Sequence, residues 1–567
     1  MAADQIHCPW PHINGLPPEL LGLIFDEFCN TVAEDGVNPA VWKEMLPLVA
    51  VCRMWRTHAL RHVYKWAFVE CHSELSSDTD SDDGGTPDDQ QHQWLTNADL
   101  FLSLNKTLLA RNVILYMEAE LSLAQFMQQA VDILAVGKAP WSEVRSLHIS
   151  INSDIDDSEN VDSSSAEGEQ WRASLKDAAD AMARCLPMLG KVRIFAHLSQ
   201  QKSAATRSFS NRLLSRVGGR LNSLTTFVPV NIQIPAFTPR LTQLRMTFDH
   251  RGACYIPRVF AQSLQSLVIV NAPRVFPWER FASDASPRKV VFSNLREFSA
   301  YFQSSELDEE TWAAGSASSA EIQVHMPCLR ELRVELAPVG FLEALRRRVP
   351  EQLARLHIAG PLELIKSALC LDIKKVDVLV VRLMMLRRRH KSMFYRATEA
   401  MFGEQALCKR PYCTLDSMPF ELDFGRVQWR HLRQLSLDFP TELDMLGRCI
   451  HGLPCLEQVC ASALTFANVG AADIVDSLPP SYQMPAPFDS QIEMLSMGTK
   501  YPSLMLQYGL LILTKIILRI PALKKLYLED SYVDLVRQLD HSHPALRRLR
   551  QVMILPEDMM QICEKHG

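Results

Sequence analysis

The sequence has little glycine and no closely spaced pair of cysteines. Its 22 glycines among 567 residues are roughly half the average usage of about 7%, which argues against glycine-rich phosphate-binding loops. The 14 cysteines are scattered without a C-x-x-C pair, and several lie in apolar runs, as Cys328 and Cys370 do. This distribution is typical of buried free thiols in a reducing compartment, so we expect an intracellular protein, cytoplasmic or nuclear.

Short catalytic motifs are also missing. The sequence contains no G-x-x-x-x-G-K-[ST], no G-x-S-x-G and no H-E-x-x-H, the motifs that mark a phosphate-binding loop, a nucleophilic serine or a catalytic zinc ion. Two Cys/His clusters lack the spacing of zinc ligands, Cys408 with Cys413 and Cys449 with His451, Cys455 and Cys460. We therefore expect no enzymatic activity, no cofactor and no metal ion. An α/β enzyme with an unrecognised site is the alternative.

Excess positive charge and a membrane-spanning segment are two further absences. The formal net charge is −6 and the pI is about 6.3, so we expect no nucleic-acid partner. The longest apolar run, residues 504–520, contains Gln507, Lys515 and Arg519. A membrane-spanning helix needs about 20 apolar residues with few charges, so this run predicts a buried helix and no membrane partner. The first 15 residues also lack the basic and apolar stretches of a secretory signal.

Residues 13–70, the N-terminal module, predict two or three short helices. Pro17 and Pro18 suit a first helical turn, and Asn38-Pro39 is a second start signal, a capping residue followed by proline. The first helix is apolar over more than one stripe, and such a helix must be covered on two sides. Because units of about 50 residues are marginally stable alone, we expect the surplus apolar surface to bind a partner.

The two halves of the N-terminal module carry a resemblance to a known family. The residues are Leu16-Pro17-Pro18-Glu19-Leu20-Leu21 and Ile24-Phe25, then Leu48, Val51-Cys52-Arg53 and Trp55-Arg56. They resemble an F-box, whose pattern is LPxELLxxIF followed by LxxVCRxWR, although the connection from Asn30 to Met45 is longer than is usual. The resemblance implies that the module binds a Skp-type adaptor and, through it, a cullin–RING ubiquitin ligase. The residues implied for the adaptor contact and the core beneath it are Leu16, Pro17, Leu20, Ile24, Phe25, Val51 and Trp55.

Two acidic segments interrupt the chain, at residues 71–95 and 152–170. Each contains seven acidic residues and no lysine or arginine. Because low hydrophobicity and like charge cannot offset the entropy of ordering, both are predicted to be disordered. The first is a linker and the second an insertion loop.

One short pattern, apolar-x-x-apolar-x-apolar, recurs from about residue 140 to the end of the chain. Copies begin at residues 144, 189, 221, 241, 264, 295, 329, 353, 373, 432, 456, 523 and 549. In the copy at 329, Leu332 and Val334 alternate with charged residues, which is the period of a half-buried strand. Helical patterns follow some copies, at 341–348, 362–370 and 441–452. Leucine-rich repeats have a period of about 20–29 residues, and many of these spacings are similar.

These patterns predict an α/β fold in which the N-terminal all-helical module precedes an irregular leucine-rich-repeat solenoid at residues 96–567. Parallel strands would lie inside the solenoid and helices outside. The repeats resemble the degenerate kind that follows F-boxes in many F-box proteins, fungal ones included. Unrelated strand–helix pairs in a doubly wound α/β domain are the alternative.

The residue between two inward strand residues points outward, so stacked repeats align these positions in a row. The expected row is His148, Arg245, Val268, Ser299, Arg333, His357, Ser436 and Tyr527. Arg245, Arg333, His357 and Tyr527 are the predicted substrate contacts, since arginine and tyrosine are common interface anchors. The alternative is a solvated sheet face, with the substrate bound by loops or by the C-terminal end.

The function expected from the resemblance is the substrate-recognition subunit of an SCF-type (Skp–cullin–F-box) ubiquitin ligase. The F-box would bind the adaptor, the repeats would bind an unidentified protein substrate, and catalysis would take place on other subunits. The alternative is a non-ligase repeat scaffold whose F-box-like helices only cap the array, because terminal repeats need capping.

Overall fold

In the computed structural model of the chain, the described residues fall in two compact units, residues 1–264 and 265–567. Both are mixed α/β and contain extensive parallel sheet with few helices. The described residues are 19–25, 48, 50–53, 55, 56, 59, 60, 64–71, 97–103, 106–117, 122–135, 141–151, 166–196, 204–228, 230, 240–247, 258–272, 276, 289–302, 323–338, 341, 342, 345, 349–360, 362–369, 371, 373–383, 431–442, 453–465, 491–497, 520–528 and 552–554.

The first unit contains a parallel sheet whose strands follow one another in chain order. The strands are β1 (Trp66–Cys71), β2 (Asn112–Met117), β3 (Ser146–Ile151), β4 (Lys191–Ala196), β5 (Ser223–Thr226) and β6 (Gln243–Thr247). Each pairs in parallel with the next. The strands alternate with helices α1 (Ala98–Ser103), α2 (Leu123–Ala135), α3 (Ala166–Cys185) and α4 (Ala204–Val217), and with 3-10 turns at Thr107–Leu109, Gly218–Arg220 and Arg258–Gln262.

The second unit also has a parallel sheet in chain order. Its strands are β7 (Ser266–Ala272), β9 (Glu297–Phe302), β11 (Glu331–Glu335), β12 (Gln352–Gly360), β13 (Lys375–Leu383), β14 (Gln434–Glu442), β15 (Gln458–Thr465), β16 (Met494–Met497), β17 (Lys525–Leu528) and β18 (Met553–Ile554). A separate parallel pair joins β8 (Lys289–Val291) to β10 (Gln323–His325). Helix α5 (Leu362–Leu369) lies between β12 and β13. Within the described part of each unit, the strand order shows none of the reversal that defines a doubly wound sheet.

One backbone hydrogen-bond arrangement recurs at the start of strand after strand. The carbonyl of Arg145 accepts hydrogen bonds from the N–H groups of Gly190 and Lys191, both at 2.9 Å. In the second unit, the carbonyl of Arg296 accepts from Arg330 and Glu331, at 2.7 and 2.9 Å. The same arrangement forms at the carbonyls of Lys65, Arg111, Gly190, Asn222, Gln265, Arg330, Glu351, Arg433, Glu457 and Glu493. Successive strands therefore begin in the same register, so equivalent side chains are aligned across each sheet.

Strand side chains alternate between a buried row and an outward row. In β3, Leu147, Ile149 and Ile151 are fully buried, and in β11 Leu332 and Val334 are nearly so. This alternation follows from the two-residue period of a strand. The buried row and the apolar faces of the helices form the core, as at α2, where Phe126 and Ala130 are fully buried.

The strand predictions are confirmed, since every copy of the repeated pattern read from the sequence coincides with a strand. The helix predicted at 362–370 is α5. Residues 341, 342 and 345 of the pattern at 341–348 are helical. The helix predicted at 441–452 is wrong at its start, because Thr441 and Glu442 belong to β14, and the rest of that stretch lies outside the described residues.

Several boundaries differ from the sequence predictions. Strand β1 begins at Trp66, inside the stretch assigned to the helical N-terminal module. Helix α3 begins at Ala166, so the loop predicted to be disordered to residue 170 ends earlier. Acidic residues at a helix start are favoured by the helix dipole, which explains why an acidic composition did not exclude a helix there. Strands β1, β2, β8, β10 and β16 were not predicted.

The cysteine prediction is wrong at two positions, because Cys328 and Cys460 are exposed. The linker predicted at 71–95, apart from Cys71, and the apolar run at 504–519 lie outside the described residues. In the part of the chain that the structure describes, no helix is long and apolar enough to cross a membrane.

Candidate protein-binding surfaces

The helical segment at residues 19–25 has one buried apolar face and one exposed apolar face. Leu21 and Phe25, one helical turn apart, are 0% and 1% exposed. Leu20, Leu23 and Ile24 are 46%, 63% and 48% exposed, and their i, i+3 and i+4 spacing places them on one side of the helix. We call these three residues the apolar stripe. A single exposed leucine is ordinary, but three on one helical face are typical of a protein-binding surface.

Aromatic packing beneath the apolar stripe joins the two halves of the N-terminal module. The ring of Phe25 meets that of Trp55 edge-to-face, with centroids 5.4 Å apart. The backbone N–H of Trp55 donates a hydrogen bond to Cys52 Sγ at 3.4 Å, and Ala59 is fully buried. Such aromatic pairs contribute about 1 kcal/mol beyond their burial, so this contact fixes the first helical segment against the second.

The structure divides the predicted adaptor residues into two groups. Leu20, Ile24 and Val51 are exposed, Val51 by 52%, whereas Phe25 and Trp55 are buried and supply the core of the module. Leu16 and Pro17 lie outside the described residues. Leu23, the most exposed member of the apolar stripe, was not selected from the sequence, although its position one turn from Leu20 was available as a signal.

The outward row of the first unit aligns as the sequence predicted. In register, it consists of Phe68, Ile114, His148, Arg193, Thr225 and Arg245. Phe68, Ile114 and His148 are nearly buried, at 5%, 3% and 8% exposure, whereas Arg245 is exposed. The row therefore changes from apolar and buried at β1 to cationic and accessible at β4–β6.

Two aromatic rings lie beside these cations on the same face. Phe195 stacks on His148 with centroids 4.8 Å apart, and on Phe227 at 4.7 Å. The guanidinium carbon of Arg245 lies 5.0 Å from the centroid of the Phe227 ring, within the range of a cation–π interaction. This contact holds the Arg245 side chain against the sheet without neutralising its charge.

The cations at β4–β6 repel one another. Burial, with added repulsion from Arg245, lowers the pKa of Arg193 below its ordinary value. Burial and the charge of Arg193 likewise lower the pKa of Lys191. Among the described residues, neither Arg193 nor Arg245 forms an ion pair with an acid. Within the described part of this end of the first unit, the positive charge is therefore uncompensated.

His148 is a buried polar group next to these cations. Burial, and secondarily the charge of Arg193, lowers its pKa from 6.5 to about 4. Its buried Nδ1 atom has no hydrogen-bond partner among the described residues. Because of this low pKa the imidazole is neutral at neutral pH. Leaving its buried Nδ1 atom unpaired costs about 1–3 kcal/mol.

The outward row of the second unit is also in register, and its charges are paired. It consists of Val268, Ser299, Arg333, His357, Val380, Ser436, Cys460, Ser496 and Tyr527. Arg333 donates two hydrogen bonds to Glu335 Oε1, from Nε at 3.0 Å and from a terminal nitrogen at 2.6 Å. Its guanidinium carbon also lies 5.1 Å from the Tyr301 ring centroid.

The remaining predicted contacts of the second unit are less accessible than expected. His357 is half-buried, with its Nε2 atom 3.9 Å from Glu335 Oε1, and burial lowers the pKa of its imidazole. Tyr527 is half-buried at the other end of the row. Arg245 and Arg333, equivalent by sequence, thus differ in the structure, because Glu335 neutralises only the second.

The chain matches no family model and no curated protein.

Proposed function

We propose that this chain is the substrate-recognition subunit of an SCF-type ubiquitin ligase. In this proposal residues 13–70 are an F-box that binds a Skp-type adaptor, and the repeats form an irregular leucine-rich-repeat solenoid that binds the protein to be ubiquitinated. Catalysis takes place on other subunits, and this chain contributes proximity and orientation, raising the effective concentration of the target.

The observation that carries the proposal is the apolar stripe over the Phe25–Trp55 contact. The F-box-like residues of both sequence halves meet in one small core, and Leu20, Leu23 and Ile24 are left on the outside. A helical cap that only closes a repeat array has a polar outer face. An exposed leucine-rich face is instead suited to a partner helix or groove, which favours adaptor binding over the scaffold alternative.

The solenoid part of the proposal is supported by the sequential strand order and the repeated hydrogen-bond arrangement at strand starts. One strand with one helix cannot bury its apolar face alone, so adjacent copies must stack. The stacking aligns the outward rows, which are suited to reading a bound protein because their chemistry varies from strand to strand.

The test is co-precipitation of the Skp-type adaptor and the cullin with the full-length chain from cells. Replacing Leu23 and Ile24 by glutamate should abolish both, since truncating a buried interface anchor typically costs 2 kcal/mol or more, roughly thirtyfold in affinity. Both residues are exposed, so the fold should be retained and circular dichroism should be unchanged. The matched control is Met188→Glu, an exposed apolar residue (59%) outside the module. Loss of capture in both variants, or in neither, contradicts the proposal.

A further inference from the structure

The outward positions of β4, β5 and β6 form a cationic and aromatic surface that lacks an acid. The outward residues of these strands, together with Phe227 directly after β5, are three cations, two phenylalanines and uncharged polar residues. By contrast, the arginine of the second unit's row is neutralised by Glu335. The outward row of the second unit therefore contains an acid beside its arginine, whereas these three strands of the first unit do not.

Arg193 and Arg245 occupy the two sides of Thr225 in the row. Their strands are both neighbours of β5, and strands are about 4.8 Å apart, so the two arginine backbones are separated by about 10 Å. Thr225, half-buried between them, has a hydroxyl that can donate a hydrogen bond. We call Arg193, Thr225 and Arg245 the anion site. Arginine presents several donors in a planar fork that matches carboxylate and phosphate oxygens.

No described acid pairs with Arg193 or Arg245, and holding these charges together is unfavourable for the isolated fold. Arg193 is half-buried, and two described cations, Lys191 and Arg245, interact electrostatically with it. A bound oxyanion would relieve this repulsion, because opposite charge close by stabilises the charged form.

The surroundings favour a peptide over a free ion. Phe195 and Phe227 form a stacked pair beside the anion site, and Arg245 lies on one of these rings. Aromatic rings next to arginines offer flat apolar area for side chains that flank an acidic group. We infer that the anion site binds an acidic, extended segment of a partner protein, with a carboxylate or phosphoryl group at Thr225 and an apolar side chain against the phenylalanines. Calling that segment part of a ubiquitination target rests on the proposed function.

The experiment measures binding of three short fluorescein-labelled peptides to the full-length chain by fluorescence anisotropy. The peptides share leucine and serine positions and carry glutamate, phosphoserine or glutamine at the acidic positions. We expect the glutamate or phosphoserine peptide to bind, and the stronger of the two identifies the source of the oxyanion. Arg193→Gln and Arg245→Gln should each weaken binding about tenfold, the loss expected for one charge-assisted contact. The matched control is Arg145→Gln, at an exposed arginine of the first unit that precedes β3 and lies outside the anion site, and it should have no effect.

A second readout separates a binding role from a structural one. Arg193→Met removes a half-buried, unneutralised charge and should raise the thermal unfolding midpoint while it weakens peptide binding, the trade-off expected of a functional residue. Equal binding of the glutamine peptide, no effect of either anion-site substitution, or an equal effect of Arg145→Gln overturns the inference. Binding of single-stranded RNA or anionic vesicles in place of the peptides also overturns it. Adaptor binding measured on the same samples tests the proposed function separately, since none of these residues is in the N-terminal module.

Discussion

Protonation of His148 should destabilise the protein in mildly acidic solution. Burial and the nearby charge of Arg193 lower its pKa from 6.5 to about 4, and the side chain is only 8% exposed. The folded state therefore holds the imidazole neutral between these two values, while the unfolded chain takes up a proton. The free energy of unfolding is therefore unaffected by His148 above pH 6.5, the pKa of the unfolded chain. It decreases as pH falls below that value, and the decrease is complete near pH 4, the pKa in the folded state.

The magnitude follows from the width of the pKa difference. One unit corresponds to about 1.4 kcal/mol, so the complete loss is about 3 kcal/mol, of which about 2 kcal/mol is lost by about pH 5. A loss of this size is a large fraction of the net stability of a typical domain, about 5–15 kcal/mol. Arg193→Gln should raise the pKa of His148 and reduce the loss, although burial, the larger cause, is retained.

The assay is urea unfolding of the full-length chain, followed by circular dichroism at about pH 7.5 and about pH 5. His148→Phe keeps an aromatic ring to stack on Phe195 but cannot titrate, so it should remove about 2 kcal/mol of the pH-dependent loss. His325→Phe, at an exposed histidine in β10, is the matched control and should retain the wild-type loss. The same pH dependence in wild type and His148→Phe would refute the reasoning.

Two further predictions concern stability. Asp180 on α3 accepts two hydrogen bonds each from Arg216 and Arg212 of α4, at 2.6–2.8 Å, and these bonds hold its pKa below the usual range. Because both arginines are partly exposed, Asp180→Asn should lower the free energy of unfolding by only about 1 kcal/mol at neutral pH. The difference in this free energy from wild type should shrink as pH falls below about 4. Equal free energies of unfolding at neutral pH would contradict this prediction. A Cβ added at Gly360 would overlap Leu364 Cδ2 in the core, so Gly360→Ala should destabilise by about 1–3 kcal/mol, and by less in a Leu364→Val background. Equal losses in the two backgrounds, measured by urea unfolding, would show that this contact is not the cause.

The strand predictions succeeded because a strand's buried row leaves a direct trace in sequence. The apolar-x-x-apolar-x-apolar pattern identified thirteen strands, in which leucine or a similar apolar residue held the first position. Strand β2 was missed because Ala110 holds that position ahead of Val113 and Leu115. Strand β16, preceded by Ile492, fits the pattern but falls in a long gap between recognised copies.

The candidate sites were predicted less completely than the strands. The rule that selected Arg245 selects Arg193 and Thr225 equally, since both occupy the same position of their copies. The difference between Arg245 and Arg333 depends on pairing, and Glu335, two residues beyond Arg333 on the same face, is the sequence signal for it. Which F-box-like residues face outward could not be read from composition, because both faces of residues 19–25 are apolar. Contact between Phe25 and Trp55 decides which face is buried.

The measurement that tests the central claim most directly is the dissociation constant of the purified full-length chain for a recombinant Skp-type adaptor, by isothermal titration calorimetry. The account predicts saturable one-to-one binding by the wild type. It also predicts a weakening of at least roughly thirtyfold when Leu20 and Leu23 are both replaced by alanine, with unchanged circular dichroism. Both side chains are exposed in the free chain, so the loss would be a loss of contact and not of folding. No binding by the wild type, or equal affinity of wild type and the double variant, would contradict the account.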